Sequence, residues 1–273
     1  MRAAAGSDST ASSPAVTYSS YLALDELLGL QRPRSDGPEH DEVLFIVIHQ
    51  VYELWFKEIL HELDYLRRLL AADDTPRAMH TLDRILKILK VLVSQIDVLE
   101  TITPLEFLTF RDRLESASGF QSFQFRELEF ALGHKRRGAV EHYAEDSEAR
   151  RRLEARHAEP TLWDAFLRYL AGRGHPVPAD QLGRDVTQPV AESPGVQRLL
   201  VQIYRTDPMV TQVCERLVDL DEGVQEWRYR HVKMVQRTIG TKMGTGGSAG
   251  AEYLARTLSK PVFPDLWAIR AEL

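Results

Sequence analysis

Leu82, Ile85, Leu86, Leu89, Leu92, Val93, Ile96 and Leu99 recur at three- and four-residue steps, and this spacing constrains the chain more than any other feature. A repeat of that period lays a single apolar stripe along a helix, and the stripe needs another element to cover it. Thr75-Pro76 supplies a start signal, because proline at an early helical position gives up an N–H that has no partner there anyway. Residues 43–70 form a second long helical pattern, with Leu44, Phe45, Ile48, Val51, Leu54, Trp55, Ile59 and Leu63 spread over more than one face, as expected of a central element. A third, residues 208–239, carries Leu217, Leu220, Val224, Trp227, His231 and Val235 on one side. Shorter helices are expected at 104–113, 121–132, 146–157, 161–171, 194–204 and 249–258, and from Phe263 onward. Glycine and proline clusters at 32–38, 172–178 and 240–250 punctuate them. No alternating strand pattern and no fixed-period repeat emerges, so the fold class is all-α, with residues 16–273 as one helical-bundle domain.

With 273 residues the chain can bury a sizeable core. Its net charge of −6 argues against a general nucleic-acid binder, which needs a basic face. Basic runs at 134–137 and 150–152 read as solvated surface. Cys214 is the only cysteine, which excludes an intrachain disulfide, a CxxCH haem attachment and a cysteine zinc cluster, and fits a reducing cytoplasm. Residues 1–15 are rich in Ala and Ser without a continuous apolar core and read as a disordered tail. The apolar run at 43–48 is far too short to span a membrane.

Two of the nine histidines sit on strongly apolar helical faces: His49 with Phe45 and Tyr52, and His231 with Trp227, Met234 and Val235. A buried histidine is more often a hydrogen-bonded core residue than a ligand. Two of them on separate long helices nevertheless suit haem, which needs a proximal imidazole and a distal pocket. A rival pattern is Glu-x-x-His, at Glu58/His61 and Glu154/His157, as in di-iron carboxylate bundles. The second copy lies in a heavily charged stretch with little apolar surface to bury a metal, so coincidence explains the pair better. Arg111 follows Phe107 by four positions and shares its face, making either a surface ion pair or a carboxylate clamp. The segment Gly244-Thr-Gly-Gly-Ser-Ala-Gly250 is either a flexible linker or a loop whose amides and hydroxyls hold an anion; it lacks the Gly-Lys-Ser/Thr ending of a phosphate loop.

Taken together and in order, several stretches resemble the tryptophan 2,3-dioxygenases. They are Tyr18-Ser-Ser-Tyr-Leu22, the run from His40 to Lys57 that holds Phe45 and His49, Leu99-Glu-Thr-Ile-Thr-Pro104, and Phe110-Arg-Asp. Ser118-Gly-Phe-Gln-Ser122, Trp227-Arg-Tyr-Arg-His231 and the glycine segment complete the set. The resemblance implies a homotetramer binding b-type haem non-covalently and oxidising L-tryptophan with O₂ to N-formylkynurenine. It implies His231 as the axial iron ligand, His49 as the distal histidine facing the indole N–H, and Ser118 near the bound oxygen. Phe45 and Phe107 would line the substrate pocket, Arg111 would pair with the substrate carboxylate, and Thr245 and Gly246 would hold its amino-acid end. Tyr18 and Tyr21 resemble tyrosines that a neighbouring subunit lends to the site. The sequence departs from the family in reading Ser-Ala where Ser-Ser is usual, and 133–194 matches only loosely. A related haem monooxygenase giving an oxindole from tryptophan, or a non-enzymatic scaffold that kept the fold, shares the same motifs.

Overall fold

The computed structural model describes residues 15–244, 255, 258 and 260–273. Two short helices, α1 (Tyr18–Leu22) and α2 (Leu24–Leu28), precede α3 (His40–Ala71), α4 (Thr75–Leu99) and α5 (Pro104–Arg111). There follow α6 (Phe123–Leu132), α7 (Glu148–Ala158), α8 (Leu162–Gly172), α9 (Ala179–Leu182), α10 (Pro194–Thr206), α11 (Pro208–Ile239) and α12 (Pro264–Ala268). No strand occurs among the described residues, as the helical periodicity requires. The short helices α1, α2 and α9 carry too little pattern to be read from sequence. Most of the helix expected at 249–258, and residues 1–14 of the expected tail, lie outside the described residues.

Local chemistry sets the helix starts. Asp74 accepts the Arg77 N–H and Pro76 follows in the first turn of α4, while Thr103 and Glu106 form a reciprocal capping box on α5. Asp207 caps α11 in the same way, through the Val210 N–H, with Pro208 in its first turn. The stripe of α4 is buried as its period demands, with Leu82, Ile85, Leu89, Leu92 and Ile96 all in the core. It packs against α3 on one side and α11 on another, whereas α3 and α11 keep their backbones apart and meet through side chains, Trp227 against Tyr52 and Phe56. Each such leucine contributes roughly 1.5–3 kcal/mol through burial. A Cβ at Gly223 would stand 3.1 Å from Leu89 Cδ1, so glycine there lets α11 approach α4 closely. Trp163, Phe166 and Leu170 of α8 close the core against α3.

A buried carboxylate of α11 holds the C-terminal segment against it. Asp221 is fully buried. Its Oδ2 accepts the backbone N–H groups of Val262 at 2.8 Å and Phe263 at 2.9 Å and the Trp267 indole N–H at 2.9 Å. Its Oδ1 accepts from Gln225 Nε2 at 2.8 Å, completing the hydrogen bonding that a buried carboxylate needs.

The basic run at 134–137 is not the solvated face expected of it. Lys135 is 3% exposed, and its ammonium donates to the carbonyls of Arg156 (2.8 Å), His157 (2.9 Å) and Glu159 (2.7 Å) at the C-terminus of α7. A cation satisfies the orphan carbonyls of a helix end, which explains how the lysine can be buried. The 150–152 run fits the surface reading better: Arg150 and Arg151 pair with Glu154 and Glu148 of their own helix, and Arg152 covers the buried Glu127.

Candidate active site

One cavity collects most of the residues singled out from the sequence. From α3 it takes Phe45, His49, Tyr52, Glu53 and Phe56, whose spacing puts them on a single helical face. The opposing contribution of α11 includes Trp227, Arg228, His231, Val235 and Thr238. Phe107 and Arg111 enter from α5, Ser118 from the loop before α6, and Gly244 from the start of the glycine segment. Two polar ties lock α3 to α4 beside it: Tyr52 donates to the Leu92 carbonyl at 2.7 Å and Gln95 to the Ile48 carbonyl at 3.1 Å. Arg230 and Arg237 bind Glu100 across the α4–α11 seam.

The two histidines present different faces to this space. His49 Nδ1 lies 2.7 Å from the Phe45 carbonyl. A carbonyl only accepts, so Nδ1 carries the proton and Nε2 keeps a free lone pair. Burial pushes the His49 pKa down, against the opposing effects of that hydrogen bond and of Glu53. His231 is likewise depressed, to about 4, first by burial and then by the electrostatic influence of His49 and Arg126 nearby. Both rings are therefore neutral at physiological pH. The imidazole of His231 stacks parallel to Trp227, with ring centroids 5.3 Å apart at 9°, and no described residue hydrogen-bonds to it. Its orientation is thus set by stacking. A neutral, unengaged imidazole on the wall of an apolar cavity has the chemistry of an axial haem ligand, and the aromatic wall of Tyr52, Phe56, Phe125 and Trp227 suits a flat macrocycle.

At the other end an aromatic cluster joins Phe45 to Phe107 (5.8 Å) and Phe110 (5.5 Å), and Phe45 to the His49 ring (4.1 Å). Arg111 donates to the Met243 carbonyl at 2.7 Å, which tethers the start of the glycine segment to α5. Ser118 lines the cavity and its hydroxyl accepts from the Phe120 N–H at 3.3 Å. Tyr18 and Tyr21 are 77% and 78% exposed and do not line the cavity of their own chain. Thr245 and Gly246 lie outside the described residues.

A charged cluster on the cavity wall is absent from the sequence reading. The buried Glu129 carboxylate meets Arg126, Arg136 at 2.8 Å and Arg228 at 3.1 Å. Burial alone would raise the Glu129 pKa, but the three guanidiniums outweigh it and hold the group below its usual range. Arg228 also donates toward His134 Nε2 at 3.4 Å. The available signal was Arg228 itself, three residues before His231 and hence on the same helical face. The Glu-x-x-His patterns do not converge: His61 is exposed, and the described residues contain no group of three or more His, Cys, Asp or Glu able to hold a metal. His157, in spite of its heavily charged stretch, is buried against Phe130.

Residues 2–176 and 195–273 match the family model described as tryptophan 2,3-dioxygenase. A tryptophan 2,3-dioxygenase of Herpetosiphon aurantiacus is 64% identical over 261 residues, covering 96% of this chain and 100% of the relative. That of Anaeromyxobacter sp. (strain K) is 56% identical, covering 97% of this chain and 99% of the relative. That of Kineococcus radiotolerans is 46% identical, covering 94% and 91% respectively. The match runs through most of 133–194, the stretch whose motifs were weakest, and omits only 177–194 of it. The chain therefore belongs to the tryptophan 2,3-dioxygenase family.

Proposed function

We propose that this protein uses a b-type haem and O₂ to oxidise L-tryptophan, opening the indole C2–C3 bond to give N-formylkynurenine. The observation that carries this reading is the placement of two neutral histidines, His49 on α3 and His231 on α11, on one cavity that Arg111 also enters. When bound, haem iron supplies the binding and activation of O₂.

The chain's own residues account for the rest. His231 would hold the iron, its ring fixed by Trp227. Phe45 and Phe107 flank the indole and exclude water from it. The free Nε2 lone pair of His49 accepts a hydrogen bond from the indole N–H, which positions the ring; the indole N–H is too poor an acid for full proton removal to be the main task. Arg111 pairs with the substrate carboxylate, and Thr245 and Gly246 contact the same amino-acid end, so the reacting carbons are held in one orientation. Ser118, on the cavity wall, would face the space in which O₂ and the indole meet.

Assembly completes the site in this reading. Helix α1 buries none of its residues in its own chain, which leaves Tyr18 and Tyr21 available to a neighbouring subunit of a homotetramer. We read residues 16–273 as one domain working in the cytoplasm, without nucleic acid or membrane as partner. No described helix is long and apolar enough to cross a membrane.

The test is to reduce the haem-loaded protein anaerobically, add L-tryptophan and then air, and weigh the product. Incorporation of two oxygen atoms with ring opening is expected. A product carrying one oxygen atom, as in an oxindole, or unchanged tryptophan, overturns the reading.

A further inference from the structure

Arg126 is 6% exposed, yet its Nε–H has no hydrogen-bond partner among the described residues. Leaving a charged donor unpaired in the interior is costly, so the position points to an acceptor that enters the cavity from outside the chain. The guanidinium lies over the Phe120 ring at 5.4 Å and the Phe125 ring at 5.0 Å, which clamp its plane. Its one buried carboxylate, Glu129, is shared with Arg136 and Arg228, so a single negative charge answers more than one buried cation. Arg126 lines the same cavity as His231. The two are linked through packing: Phe125 sits 4.9 Å from Trp227, which stacks on His231. Arg126 thus stands beside the helix that would hold the iron, whereas Arg111, assigned to the substrate, is anchored on α5 by the Met243 carbonyl.

We infer that Arg126 seats a carboxylate on the edge of the bound macrocycle, a haem propionate, with the Arg126–Glu129–Arg228 cluster left short of negative charge until that carboxylate arrives. The inference rests on the haem reading above and adds a binding role for a residue outside the predicted site. Guanidinium suits the task because its planar N–H groups match carboxylate geometry and its charge is retained when buried.

Haem loss to excess apomyoglobin tests it, using the holoenzyme loaded either with haemin or with its dimethyl ester, whose propionates are neutral. Wild type is expected to release haemin about tenfold or more slowly than the ester, the size of one charge-assisted contact. Arg126→Gln is expected to release haemin at least tenfold faster than wild type while releasing the ester at the wild-type rate, and Arg126→Lys to fall between. Equal release of haemin and ester by wild type overturns the proposal even if the glutamine variant fails to fold. It is also overturned if Arg126→Gln keeps the wild-type preference for haemin and instead raises the KM for L-tryptophan, because the carboxylate served would then be the substrate's. Failure of wild type to bind either porphyrin, seen as absence of a Soret band, removes the haem reading itself.

Discussion

Asp221 offers the sharpest test of the packing. Replacing it with alanine leaves the Val262 and Phe263 N–H groups and the Trp267 indole N–H without their acceptor, and both backbone groups belong to buried residues. A hydrogen bond to a charged group contributes about 1.5–3 kcal/mol, so three lost contacts at the low end amount to roughly 4–5 kcal/mol. That is a large part of the 5–15 kcal/mol, roughly, that separates a folded domain from its unfolded chain. At about 2–4 °C per kcal/mol for a chain approaching this size, Asp221→Ala should melt some 10 °C or more below wild type. Asp221→Asn keeps an amide oxygen where Oδ2 stands and loses the charge and the Gln225 bond at the Oδ1 position, so its Tm should fall by no more than about half as much. Far-ultraviolet circular dichroism melts at one protein concentration, which keeps assembly constant, make the comparison. An alanine variant within about 2 °C of wild type, or an asparagine variant as damaged as the alanine one, would refute the hydrogen-bond accounting.

Three further outcomes follow from the site. Arg111→Ala should lower kcat/KM for L-tryptophan by about 10–100-fold, chiefly through KM, with haem content unchanged; steady-state kinetics and the Soret absorbance check this. His49→Ala should keep measurable turnover, since the histidine positions the indole, and complete loss despite normal haem and tryptophan binding would assign it the proton transfer instead. His134 is held near a pKa of about 4, against 6.5 unfolded, first by burial and then by the Arg228 charge. Between those values the unfolded chain binds the extra proton, so stability falls as pH falls. Relative to His134→Gln, urea unfolding of wild type should lose on the order of 2 kcal/mol between about pH 7.5 and about pH 5.

Much of the fold was legible because apolar spacing is a local signal. The α4 stripe and the whole of α11, from Pro208 to Ile239, could be read from period and caps alone. Periodicity also placed His49 and His231 on buried faces, but it could not bring them together, since α3 and α11 are far apart in sequence. Their pairing in one cavity with Arg111 was visible only through resemblance. The Glu129 cluster was illegible for a different reason: Arg136 fell in a run read as solvated surface and nothing singled out Arg126 or Arg228 as buried, because charge in a sequence ordinarily means water. Only the fold reveals that α6 and α11 bring opposite charges together and so allow them to be buried. Lys135 misled in the same way, its partners being the carbonyls that end a helix more than twenty residues away.

The arrangement of α3, α4 and α11 has a consequence for how this enzyme can change over time. The backbones of the helices bearing His49 and His231 both rest on α4 and reach one another through side chains, Trp227 against Tyr52 and Phe56, so the width of the gap between them answers to the bulk of Leu89, Leu92 and Ile96 and to the bare backbone at Gly223. A methylene gained or lost along that seam resizes the gap without altering a single reactive group. Aliphatic volume in a chemically silent helix is therefore the dimension along which the site can be refitted to a thicker or thinner guest, one carbon at a time.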